Sequence, residues 1–88
     1  RHAQGSRPEI DIGFTGGLTP PSWVSALSQH FDQQGYDVGH NTPYEGVIDA
    51  GERAAVMIEI RRDVVGRPGT DLKWQRLIST LSTAPLGD

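Results

Sequence analysis

The run "AAVMIEI" at residues 54–60 constrains the fold more than any other part of this chain. It is continuously apolar apart from Glu59 and is bounded by Arg53 before it and by Arg61 and Arg62 after it. Uninterrupted apolar strands are those covered on both faces by other layers. The run therefore predicts a central strand with a neighbour on each edge. A chain of 88 residues can barely supply such neighbours, so the piece reads as part of a larger sheet. Within the run Ala55, Met57 and Glu59 share one face, and Val56, Ile58 and Ile60 share the other.

The rest of the chain arranges itself around that strand. "EIDIGF" (9–14) alternates Ile10 and Ile12 with charges, the period of a half-buried strand. "TGGLTPPS" breaks it, with Thr19 as N-cap and Pro20 in the first turn of a helix that runs to Gln34. Trp23, Leu27 and Phe31 recur every four residues, with Val24 and Ala26 beside them, and Gly35 stands where a C-cap glycine belongs. "YDVGH" (36–40) is a short strand and residues 41–53 are an exposed loop. After the break at "VGRPGT", Thr70 caps a last helix to about Leu81, with Leu72, Leu77, Ile78 and Leu81 along one side. Residues 1–8 read as a flexible lead-in and 83–88 as a frayed tail. The class is α/β: a small three-stranded part of a mixed sheet with two helices, in one domain or partial domain. A single helix between the first two strands suits a crossover connection.

Composition removes several functions. A net charge of -3, with the basic residues dispersed, leaves no stripe for nucleic acid and no polybasic membrane patch. With no cysteine there is no disulfide framework, thiolate metal site or cysteine nucleophile. No apolar run approaches the roughly 20 residues that span a bilayer, and no secretory signal is present, so a cytoplasmic setting is expected. The first residue is Arg1 rather than methionine, which suggests a processed product, an excised piece or the remainder of something longer.

Glu59 is the leading chemical candidate. At the carboxyl end of a strand it would lie where open α/β sheets place their ligand crevice, and a carboxylate half-withdrawn from water there suits general acid/base work. The competing reading is a structural ion pair with Arg61, which shares its face, or with Arg62. In "HNTPYEG" (40–46), Asn41 and Tyr44 could present an amide and a phenol to a ligand, or could belong to an ordinary Asn/Pro/Gly turn. His2, His30 and His40 form none of the close pairs that announce zinc, and only His40 lies near a possible crevice. "GFTGG" (13–17) lacks the residues of a P-loop and the spacing of a dinucleotide fingerprint, and reads as a flexible connection. Ser22, Ser25 and Ser28 lie in no G-x-S-x-G elbow.

Three segments, "RPEIDIG" (7–13), "VGHNTPYEG" (38–46) and "AAVMIEIRRDVV" (54–65), together resemble the C-terminal half of the N-formylglutamate amidohydrolase family. The resemblance extends over residues 7–82. It implies a fold similar to the zinc carboxypeptidases, the phosphorylase/hydrolase-like zinc exopeptidase architecture, with zinc above the carboxyl ends of the central strands. It also implies that Glu59, in "IEIRRD", is general base and acid. Asn41 and Tyr44 would lie beside an N-acyl amino acid substrate, and Arg61 or Arg62 would offer it positive charge. The family's zinc ligands are expected upstream of Arg1, since "RHAQGSRP" holds no His-Ser pair. No metal ligand is therefore assigned in this chain, whose partner would be the N-terminal portion that carries them. An isolated chain is expected to bind little zinc and to be inactive. The alternative is a non-catalytic α/β binding or complementing module in which Glu59 and Arg61 are structural.

Overall fold

The computed structural model describes residues 7–41 and 53–85. The elements run β1 (Ile10–Gly13), α1 (Pro21–Gln33), β2 (Val38–His40), β3 (Met57–Ile60), α2 (Arg62–Val65) and α3 (Leu72–Ser82). The lead-in before Arg7, most of the loop predicted at 41–53, including Tyr44, and the end of the tail lie outside the described residues, as does His2.

The sheet is mixed and ordered β2-β1-β3. β1 pairs parallel with β2, placing Ile10, Asp11 and Ile12 beside Val38, Gly39 and His40. It pairs antiparallel with β3, placing Ile10, Asp11 and Ile12 opposite Ile60, Glu59 and Ile58. The central position expected for 54–60 therefore belongs to β1. β3 is shorter than predicted, pairs with β1, and is half-buried throughout. The physical reason is visible in β1 itself, where every residue is buried despite its aspartate.

Among the described residues, α1 and α3 both contribute their buried side chains to the isoleucine face. Leu27 and Phe31 of α1 and Leu77 of α3 join Ile10, Ile12, Tyr36 and Val64 in one core, with Val24, Val38, Ile58 and Ile60 packed at its margin. Each of the fully buried large side chains contributes about 1.5–3 kcal/mol of transfer free energy.

The caps explain where the helices begin and end. α1 starts with Pro21 after Pro20, whose extended backbone serves as N-cap without a side-chain bond. Thr19, expected to cap, instead donates its hydroxyl to Ala55 O at 2.6 Å and so ties this loop to the approach of β3. At the other end Gly35 takes φ +90. Its N–H and that of Tyr36 donate back to Asp32 O and Phe31 O, a Schellman arrangement at the position where the sequence put a C-cap glycine. In α3 the cap is Asp71, not Thr70, and it accepts from Lys73 N. That start sets the helix phase. Leu77, Thr80, Leu81 and Ala84 turn inward, while Leu72 is 80% and Ile78 40% exposed. The predicted apolar side of α3 is thus correct at Leu77 and Leu81 and wrong at the other two. The one-turn helix α2 was not anticipated.

Candidate functional site

β1 and β3 carry the same short pattern, Ile-acid-Ile, and their antiparallel register superposes them so that Asp11 lies directly opposite Glu59. Both acids occupy the face away from the helices, in one row with Gly39 of β2. Asp11 is 2% exposed. Glu59 is half-buried, and its Oε1 is fully buried with no hydrogen-bond partner. A buried carboxylate oxygen without a donor costs free energy, so such an atom in a native fold calls for an explanation. Sequence reasoning singled out Glu59 and passed over Asp11, although "IDI" and "IEI" are the same signal.

The arginine expected to neutralise Glu59 is engaged elsewhere. Arg61 forms a two-pronged ion pair with Asp63, Nε to Oδ1 at 2.5 Å and Nη2 to Oδ2 at 3.0 Å, and donates from Nη1 to Arg7 O at 2.7 Å. The hydrogen-bonded Asp63 carboxylate holds the guanidinium above its usual pKa, and Arg61 holds the Asp63 carboxyl below the usual carboxylate range. The strand period ends at Ile60, and Asp63 in the first turn of α2 captures the guanidinium fork. The structural Glu59–Arg61 pair of the alternative reading is accordingly not formed. Arg62, the first residue of α2, is exposed.

Asn41 stands at the opposite end of the sheet. Its backbone has φ 52, a left-handed conformation that asparagine tolerates. Its N–H continues the ladder to Ile12 O, and its side-chain oxygen accepts from Phe14 N at 2.8 Å. Because β3 is antiparallel, its carboxyl end lies beside the amino end of β1, where Arg61 N donates to Glu9 O. The structure thus separates the predicted residues into three places. Asn41 is at the carboxyl ends of the parallel pair, Glu59 is mid-sheet beside Asp11, and both arginines are at the far end. The sequence argument that put Glu59 at a carboxyl-end crevice does not hold for an antiparallel strand.

At the carboxyl end of β1, a cleft of about 620 Å³ is lined chiefly by Phe14, Leu18, Pro20, Pro21, Val24 and Ala54. Its loop is the "GFTGG" connection, where Thr15 N donates to Thr19 Oγ1 and Leu18 N to Thr15 O. Glu59 does not line it. His40 Nε2 meets Ser28 Oγ at 2.5 Å across the α1–β2 contact, and its ring lies edge-on to Phe14. His30 Nε2 bonds Thr80 O and so joins α1 to α3.

A parallel strand pair extended by an antiparallel strand, with helices on one face and a carboxylate couple on the other, defines a layered mixed α/β protein. Its family is set by sequence: the N-formylglutamate amidohydrolase profile matches residues 1–65 of the 88, and the chain belongs to that family. The crystal structure of N-formylglutamate amidohydrolase from Ralstonia eutropha JMP134 is similar, with a TM-score of 0.71 and 25% sequence identity over 92% of this chain. The match spans 33% of that structure's chain. No curated protein matches.

Proposed function

We propose that this chain is a portion of an amidohydrolase that cleaves the amide of an N-acyl amino acid such as N-formylglutamate, with Glu59 as general base and then general acid. The observation that carries the reading is the buried, partnerless Oε1 of Glu59, in a segment that the family match includes. In the reaction Glu59 accepts a proton from water as the water oxygen bonds to the acyl carbon. The C–N bond then breaks, and the proton passes to the departing nitrogen, giving a carboxylic acid (formate, for a formyl group) and a free amino acid.

Asn41, and Tyr44 outside the described residues, would flank the substrate. With Arg61 committed to Asp63, Arg62 is the arginine left to offer positive charge to a carboxylate-bearing substrate. The family resemblance implies zinc, whose role when bound is to polarise the acyl oxygen. Among the described residues no three His, Asp or Glu side chains gather into a ligand set. They do not fit the metal by themselves. On this reading zinc ligands come from elsewhere in the enzyme. The setting is cytoplasmic, and among the described residues no helix is long and apolar enough to cross a membrane.

The test is Glu59→Gln in the longest form of the protein that releases formate. Loss of a general acid/base should lower kcat by about 10²- to 10⁴-fold with the melting temperature kept within a few degrees. Near-normal turnover would remove Glu59 from the mechanism.

A further inference from the structure

A second cavity, of about 290 Å³, opens at the amino ends of β1 and β2, against the start of α3. It is lined by Glu9, Tyr36, Asp63, Val64, Leu72, Lys73 and Arg76. The cavity adjoins the helix-covered core through Tyr36 and Val64. Tyr36 is only 4% exposed, and its buried hydroxyl has no hydrogen-bond partner. The mechanism proposed above makes no use of any of these groups.

The unused bonding capacity around the cavity has a definite character. Arg76 stacks its guanidinium 4.2 Å from the centroid of the Tyr36 ring and donates one N–H to Gln34 O, leaving further N–H donors. Gly35 makes room for it: a Cβ there would lie 2.9 Å from Nη2 of Arg76. Lys73 donates to Asp63 O and keeps two more donors. Both carboxylate oxygens of Asp63 are taken by Arg61. Glu9 accepts from Asp37 N through Oε1 at 2.8 Å, which leaves Oε2. Two cations therefore line the cavity together with one carboxylate oxygen, while the Tyr36 hydroxyl is enclosed in the core.

We propose that this cavity binds a free α-amino acid as its zwitterion, the carboxylate held by Arg76 and Lys73, and the ammonium by Glu9. An N-acyl amino acid has no ammonium to give Glu9, so the site separates the amine product of hydrolysis from the substrate. The choice of glutamate as ligand rests on the function proposed above, whereas the zwitterion chemistry does not.

The experiment is isothermal titration of the full chain with L-glutamate and with glutarate, which lacks the ammonium. Glutamate should bind at least about tenfold more tightly, the effect of one charged hydrogen bond. Glu9→Gln, which keeps the Oε1 acceptor for Asp37, should bring glutamate to the glutarate level. Arg76→Gln should weaken glutamate and glutarate alike by about tenfold, because it removes the guanidinium that holds the carboxylate common to both. Absence of binding heat, equal affinity for the two ligands, or unaltered binding by Arg76→Gln would each overturn the proposal. The readout is binding, so its failure leaves the Glu59 mechanism standing. A fully active Glu59→Gln that still binds glutamate would remove that mechanism and leave this site.

Discussion

At Gly39 the sheet has no space for a side chain. A Cβ built there would lie 2.6 Å from Pro8 Cγ and 3.1 Å from Asp11 Oδ1. The ring of Pro8, itself fully buried, closes over this stretch of β2. Gly39→Ala should therefore destabilise the fold by about 1–3 kcal/mol, the usual cost of overpacking. The urea midpoint should fall with an unchanged denaturant slope. Pro8→Ala in the same background should recover part of the loss, because the two groups collide directly. An unshifted midpoint for Gly39→Ala would mean that the segment around Pro8 moves aside freely. Nothing in the sequence around Gly39 signalled this contact, because it joins residues brought together only by the parallel pairing. Glu59 was legible because a lone carboxylate interrupts an apolar run. Its partner across the ladder was not, since Asp11 was read as one of the polar positions of a half-buried strand. Arg61 misled because a two-residue spacing puts it on the face of Glu59 only while the strand continues.

Helix α3 shows how one side chain can set the phase of an element. The Asp71 carboxylate accepts from Arg67 N at 3.0 Å and from Lys73 N at 2.9 Å, and these backbone donors, Arg67 first, hold its pKa below the ordinary value of 3.8. A carboxyl whose folded pKa is depressed stabilises the fold above the unfolded value and loses that contribution as pH falls through the folded one. The melting temperature should therefore drop on acidification below about pH 4, and Asp71→Asn, which keeps an N-cap oxygen but cannot titrate, should drop less over the same range. Parallel pH profiles for the two proteins would exclude Asp71 from the acid transition. Element existence was largely legible: β1, α1 with its Gly35 cap, β2 and α3 occur where periodicity and punctuation put them. The errors were tertiary. Thr70 and Asp71 are both acceptable cap residues, and only the bond to Lys73 N decides between them. Strand order and the antiparallel sense of β3 depend on pairing with β1, which no local pattern encodes.

Across the whole molecule, the helices and the carboxylates divide the sheet into two unlike sides. α1 and α3 both pack on the isoleucine face, while Asp11, Gly39 and Glu59 occupy the other, to which no described helix packs. β3 keeps apolar residues on both faces although it pairs with β1 alone among the described strands, so its sequence is written for more cover than these elements provide. That excess was legible at the outset as an expectation of a larger sheet, and the chain's match to 33% of a related structure agrees in scale. The donor inventory points the same way: Glu59 and Asp11 are neighbours, yet no three potential ligands gather among the described residues. The 88-residue chain alone should accordingly release no formate from N-formylglutamate. It should also retain well under one zinc per chain after dialysis against a weak chelator, because two nearby carboxylates with no third ligand among the described residues do not make the four-coordinate centre that zinc prefers. Zinc content by atomic emission and formate by an enzymatic assay check both claims. Stoichiometric zinc would place a complete ligand set within these 88 residues, and formate release would show that the catalytic machinery is all here. If both outcomes are negative, a polypeptide supplying the remainder of the related fold should restore zinc retention and turnover together, and Glu59→Gln should then abolish the turnover while the zinc is kept.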